Sequence, residues 1–182
     1  METITDSAGS TAVTARLAAN PHVQRVPTPK AEVFQHRDFL PPDLAGALIA
    51  LIDKDRRPST IADDNGDAYF RTSETCDLDP GEPAVKELES LFLAPNGIDP
   101  QYGAPCQGQR YAVGQEFKAH TDYFTPGGDD YEKFCAVAGQ RTWTFMIYLN
   151  AVEAGGSTPF KAIGKTVQPE PGKLLCWNNV RL

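Results

Sequence analysis

Apolar positions fall into two regimes along the chain. Between Phe39 and Phe92 they recur with helical spacing, and from Pro105 onward they alternate or form short runs punctuated by glycine. Leu44, Ala47, Leu48, Leu51 and Ile52 stand at i, i+3, i+4, i+7 and i+8, one helical stripe. Pro41 and Pro42 suit its entry, where a missing N–H costs little. Val85, Leu88, Leu91 and Phe92 predict a second helix over Glu82–Leu93, with Pro83 near its start and Pro95-Asn96-Gly97 ending it. Ahead of these, Thr11–Ala19 can form a short helix stopped by Asn20-Pro21, and Ala31–His36 reads as a first strand. Asp55–Asp67 is charged and reads as a loop or ragged strand, followed by a short extended piece, Tyr69–Ser73.

In the second half the strand candidates are Cys106–Val113, Phe117–Tyr123, Arg141–Asn150, Lys165–Gln168 and Lys173–Trp177. Gly114-Gln115, Pro126-Gly127-Gly128, Gly155-Gly156 and Pro171-Gly172 mark turns between them. Helices followed by closely spaced strands predict an α+β protein whose sheets form a sandwich or jelly roll. Residues 1–30 are expected to be a disordered or extended lead, with 31–182 as a single domain.

Composition narrows the function. The 182 residues carry 24 acidic and 17 basic side chains, a net charge of −7 with no basic run, which argues against a nucleic-acid partner. No apolar run approaches the length of a membrane span, and residues 1–15 are too polar for a signal segment. Cys76, Cys106, Cys135 and Cys176 are widely spaced, with no C-x-x-C pair, so reduced thiols in a cytoplasmic protein are the simplest expectation. Cys106 and Cys176 sit in apolar contexts that predict core positions.

Candidate chemistry concentrates in Gln109–Phe124. Residues i and i+2 of a strand share a face, so His120 and Asp122 would reach one point. An imidazole and a carboxylate suit a divalent transition metal, and a second histidine would complete the facial triad of non-haem Fe(II) sites. Tyr111, Phe117, Tyr123 and Phe124 can wall a pocket around them; they can equally be ordinary core. A second His-x-Asp, His36-Arg37-Asp38, lies before the helix entry and reads as structural, while His22 in a Pro-bounded linker reads as solvated. No Gly-x-Ser-x-Gly occurs, and no cysteine has a histidine nearby in sequence, which leaves nucleophilic catalysis poorly supported.

Arg110-Tyr111, Gly114-Gln115, Phe117 and His120-Thr121-Asp122-Tyr123-Phe124 together resemble the signature of the prolyl 4-hydroxylase-like 2-oxoglutarate- and Fe(II)-dependent dioxygenases. Thr144–Asn150 followed by Gly155-Gly156-Ser157-Thr158, Pro171-Gly172-Lys173-Leu174-Leu175-Cys176-Trp177-Asn178, Arg71-Thr72-Ser73 and Phe39-Leu40-Pro41 extend the resemblance from about Phe39 onward. It implies a double-stranded β-helix, that is, a jelly roll flanked by N-terminal helices. It implies His120 and Asp122 as metal ligands and catalytic residues, and Tyr111 and Thr144 as cosubstrate contacts. Arg71 and Tyr123 become guesses for substrate contact. The implied cofactors are Fe(II), 2-oxoglutarate and O2, with ascorbate as a reductant. The implied reaction is hydroxylation of a C–H bond in a peptidyl or free proline, with decarboxylation of 2-oxoglutarate to succinate; the partner is then a peptide or small-molecule substrate.

The sequence departs from this pattern in two places. Ser157 replaces the acidic residue of Gly-Gly-Glu-Thr, and no histidine follows His120. The family's distal histidine, its 2-oxoglutarate-binding lysine and the closing strands of the roll are therefore missing, and the expectation is a truncated form of an active enzyme or an inactive remnant. The alternatives left open are a non-catalytic jelly-roll binding module and a cupin-like enzyme using another metal. Substrate and oligomeric state are not legible in the residues.

Overall fold

The computed structural model describes residues 8–61, 66–136 and 139–180. In chain order the elements are α1 (Ala8–Ala19), β1 (Val23–Arg25), β2 (Val33–His36), α2 (Pro42–Lys54), β3 (Arg57–Pro58), β4 (Glu74–Asp77), α3 (Pro83–Asn96), β5 (Gln107–Arg110), α4 (Asp129–Cys135), β6 (Trp143–Ile147), β7 (Thr158–Phe160), β8 (Lys165–Val167) and β9 (Leu174–Asn178). The described strands pair antiparallel throughout, in a four-stranded sheet ordered β1-β2-β9-β6, a three-stranded sheet β3-β4-β5 and a hairpin β7-β8. Helices and antiparallel sheets thus mix in one chain.

Helix α2 begins on Pro42, with no side-chain cap. Its buried face is Leu44, Ala45, Leu48 and Ile52; Ala47, predicted inside, is exposed. This face meets Val85 and Leu88 of α3 and Cys76 of β4 in one core cluster. Strand β5 lies flush against α2 at Gly108, where a Cβ would run into the Ile52 side chain. Helix α3 runs beyond its predicted end, through Pro95, and stops at Gly97, whose φ of 64° is left-handed and whose N–H bonds the Leu93 carbonyl.

The four-stranded sheet joins distant parts of the chain. Strand β2 pairs with β9, Phe34 opposite Cys176, and both residues are buried with Val13 and Leu17 of α1 and Trp143 of β6. Buried Glu32 accepts from Thr14 and from Asn178. The expectation of a disordered or extended lead therefore fails over residues 8–30. Val13 and Leu17 give α1 a buried contact with the sheet, and β1 adds its edge strand.

Phe117–Tyr123, predicted as a strand, is a loop. Phe117 forms a single bridge with Arg71, and the Lys118 carbonyl accepts from the His120 ring. That local bond occupies an acceptor a strand ladder would use. Helix α4 and strands β1, β4 and β7 were not predicted. Helix α4 is a seven-residue element, too short for a helical period to register. Part of the Asp55–Asp67 loop, residues 62–65, lies outside the described residues, as does most of Met1–Ser10.

All four cysteines are free; Cys176 is buried and its thiol is pushed up to about 12 by that burial, while Cys106 is only half-buried. Among the described residues no helix is long and apolar enough to cross a membrane.

Candidate metal centre

The segment that carries His120 is held from both ends. Strand β5 delivers Arg110, and the chain then turns at Gly114, with φ 84°. Gln115 closes this turn: its side-chain oxygen accepts from the Ala112 N–H at 2.7 Å and its own N–H bonds the Ala112 carbonyl. The next residues are laced to the loop before β4. The Thr72 N–H donates to the Glu116 carbonyl, the Glu116 N–H to Thr72 Oγ1, and the Lys118 N–H to the Phe70 carbonyl, each at 2.9 Å. Lys118 Nζ pairs with Asp67 at 2.7 Å. Beyond Asp122, the Gln140 amide clasps Phe124 through both its backbone N–H and its carbonyl.

Within this frame His120 and Asp122 converge, although in a loop rather than on a strand face. His120 Nδ1 lies 2.7 Å from the Lys118 carbonyl, which can only accept, so Nδ1 carries the proton and donates. In the neutral ring Nε2 then keeps its lone pair, 3.3 Å from Asp122 Oδ1. A lone pair facing a carboxylate oxygen at that distance calls for a cation between or beside them, either a proton or a metal ion. This is the second-sphere pattern of a histidine ligand, with one ring nitrogen anchored on a carbonyl and the other offered outward. Asp122 Oδ2 accepts from Thr144 Oγ1 at 2.6 Å, and Thr144 Oγ1 in turn accepts from Asn179 Nδ2 at 2.9 Å. The side chains of His120 and Asp122 are 32% and 22% exposed, open enough for an ion to enter.

Electrostatics agree with the geometry. Burial alone would lower the His120 pKa, but the hydrogen bonds to Asp122 and to the Lys118 carbonyl outweigh it and raise it above the ordinary value. Burial would raise Asp122; donation from His120 and Thr144 outweighs it and holds the carboxyl below its usual range.

Phe117 stacks on the His120 ring at 3.7 Å between centroids and 17° between planes. The guanidinium of Arg71 covers the same Phe117 ring, 4.6 Å from its centroid. Arg71 Nη1 donates to the Thr60 carbonyl and Nη2 to Thr75 Oγ1, while its buried Nε has no partner. Arg71 also borders an open cavity of about 540 Å³ lined by Ser59, Thr60, Asp67 and Ala68. Tyr111 is half-exposed and donates to Gln109 Oε1 at 2.9 Å; Tyr123, next to Asp122, is 37% exposed. The structure thus gathers His120, Asp122, Thr144, Phe117 and Arg71 through direct contacts. Thr144 touches Asp122 rather than open space.

The residues present fit a metal in part. His120 and Asp122 offer an imidazole nitrogen and a carboxylate oxygen side by side. Among the described residues no group of three or more His, Cys, Asp or Glu could hold an ion. The other His-x-Asp does not resemble this arrangement. The His36 ring stacks on His22 at 5.7 Å and meets Phe39 edge-on, and burial, ahead of the neighbouring His22, lowers its pKa.

Sequence reasoning missed Asn179, Gln140 and the Lys118 carbonyl. A polar Asn-Asn following the apolar Leu174-Leu175-Cys176-Trp177 run was the available signal for the first.

Residues 106–182 match the 2OG-Fe(II) oxygenase superfamily. A probable prolyl 4-hydroxylase 10 of Arabidopsis thaliana is 32% identical over 139 residues, 74% of this chain and 46% of the plant protein. The family model, the homologues and the structural neighbours together support a prolyl 4-hydroxylase-like 2OG-Fe(II) oxygenase family for this chain. Two solved structures share the oxygenase fold. A Pseudomonas putida prolyl-4-hydroxylase superposes with TM-score 0.59 at 21% identity, over 95% of this chain and 87% of that one. A viral collagen prolyl hydroxylase from Paramecium Bursaria Chlorella virus-1, solved as its 2OG complex, gives TM-score 0.56 at 25% identity, over 80% of this chain and 77% of that one. The chain spans between about a quarter and a half of the length of the curated relatives it matches. The 2OG-Fe(II) oxygenase family uses Fe(II), 2-oxoglutarate and O2.

Proposed function

We propose that His120 and Asp122 are two ligands of a catalytic Fe(II), and that the chain serves a 2-oxoglutarate-dependent hydroxylation of a C–H bond, prolyl 4-hydroxylase-like, on a peptidyl or free proline. The observation that carries this reading is the 3.3 Å convergence of His120 Nε2 on Asp122 Oδ1, with Nδ1 anchored and Oδ2 capped. When bound, the ferrous ion and 2-oxoglutarate would supply O2 activation coupled to decarboxylation to succinate, with ascorbate as a possible external reductant. The protein's part is placement. The Lys118 carbonyl fixes the His120 tautomer, and the Phe117 ring fixes its plane. The Tyr111 hydroxyl, now on Gln109, is free to exchange that acceptor for a cosubstrate oxygen. Arg71 and Tyr123 flank the site where a substrate would lie. The antiparallel sheets and the fold likeness support a jelly roll as the scaffold, and α1 joins the same domain through its contacts with the sheet.

No histidine follows His120 in the 182 residues. Two protein ligands hold a divalent ion more weakly than three. Mn(II), as an oxygen-stable substitute, tests the site. Binding that is lost in His120→Ala, together with 2-oxoglutarate-dependent succinate formation on a proline peptide, is the expected result. Absence of Mn(II) binding in the folded chain favours a second reading, a non-catalytic binding module, which the lack of a three-residue ligand group among the described residues supports.

A further inference from the structure

We propose that Asn179 is a positioning residue for Asp122, acting through the Thr144 hydroxyl to present one carboxylate oxygen, and only one, to a cation. This rests on the metal-site reading above. The three residues come from three places: Asp122 from the loop after Phe117, Thr144 from β6, and Asn179 from the end of β9. Their hydrogen bonds run in one direction. The Thr144 hydroxyl donates to Asp122 Oδ2 at 2.6 Å. With its proton committed, Thr144 Oγ1 can take a hydrogen bond only as an acceptor, and Asn179 Nδ2 supplies one at 2.9 Å. The reverse amide orientation would set two acceptors against each other or pull the hydroxyl proton away from Asp122.

Asn179 is itself held for this purpose. It is buried, its N–H bonds the carbonyl of Thr142, the residue just before β6, and its Oδ1 is buried with no partner. Leaving that oxygen unpaired costs stability. An asparagine kept at that cost, with its amide hydrogens aimed at Thr144, fits a polarity requirement better than a packing one. The result for the carboxylate is asymmetry: Oδ2 is capped, and Oδ1, facing His120 Nε2, is the oxygen left for an ion.

The test uses the whole chain. Mn(II) affinity is measured for wild type, Thr144→Val, Thr144→Ser, Asn179→Ala and the Thr144→Val/Asn179→Ala pair. Supporting residues of this kind typically change metal affinity about 10- to 100-fold. Thr144→Val is expected in that range, Asn179→Ala at its lower end, Thr144→Ser near wild type, and the double variant no weaker than Thr144→Val alone. With Co(II) as a spectroscopic probe, Asn179→Ala and Thr144→Val are expected to shift the visible d–d bands in the same direction, as a carboxylate freed to bind through both oxygens would. A variant that merely loosens packing moves thermal stability without this shift. Wild-type Mn(II) affinity in folded Thr144→Val overturns the proposal, including the case in which Asn179→Ala fails to fold. Additive losses in the double variant also overturn it. If the wild type binds no metal, the metal-site reading falls and the relay is judged alone, in the metal-free protein. There one Asn179 side-chain amide proton is expected to exchange slowly with water and to exchange fast in Thr144→Val; unchanged exchange overturns the relay.

Discussion

At the scale of single residues, the proposed site sets a proton against a metal for the same lone pair. The raised His120 pKa means that the metal-free site holds a proton on Nε2 to higher pH than an isolated histidine would. A metal must displace that proton. Apparent Mn(II) affinity is therefore expected to weaken as pH falls through the raised His120 value and to level off above it, with a proton released on binding near neutrality. Calorimetry in two buffers of different ionisation heat reads that release directly. His36 behaves in the opposite sense. Its pKa is lowered by burial and by His22, so between the folded and unfolded values the unfolded chain binds the extra proton. Its contribution to stability is present at high pH and is lost as pH falls through the ordinary histidine value. Chemical denaturation from pH 8 to pH 5 is expected to show a smaller acid loss in His36→Phe than in wild type.

At the scale of elements, close approach decides more than propensity. Gly108 places β5 directly on Ile52 of α2. Gly108→Ala is expected to destabilise by about 1–3 kcal/mol, as over-packing of a filled core does, with the urea midpoint as the measure. That α2 and α3 would be helices was legible in the periods of their apolar residues, whereas β5, Gln107-Gly108-Gln109-Arg110, carries none. Which face of α2 turns inward was less so: Ala45 rather than Ala47 is buried because the sheet that α2 meets decides the choice, and no local period contains it. The site was legible as a residue pair but for the wrong structural reason. Strand alternation was to bring His120 and Asp122 together; instead a loop does so, through a ring-to-carbonyl bond and a clasp from Gln140. The support of Asp122 comes from Thr144, 22 positions away, and from Asn179, 35 positions beyond that, which no short window of sequence displays.

For the whole molecule, the decisive pairing is β2 with β9, which sets Phe34 against Cys176 and hydrogen-bonds Glu32 to Asn178 across 146 positions of sequence. Phe34→Ala is expected to cost about 3–5 kcal/mol, the range for removing a fully buried aromatic ring, and to loosen α1 along with the sheet. Hydrogen exchange in α1 reads the second effect separately from the first. This pairing also governs the order of events during synthesis. Strand β2 leaves the ribosome early but has no central partner until β9 follows, so its backbone donors and acceptors and the apolar Val33 and Phe34 wait exposed meanwhile. The metal site inherits the delay, because Asn179 lies just past β9 and Thr144 on β6 pairs with that strand. Iron offered to the growing chain before β9 has docked would meet a histidine already set by the Lys118 carbonyl and an aspartate whose Thr144–Asn179 support is not yet assembled.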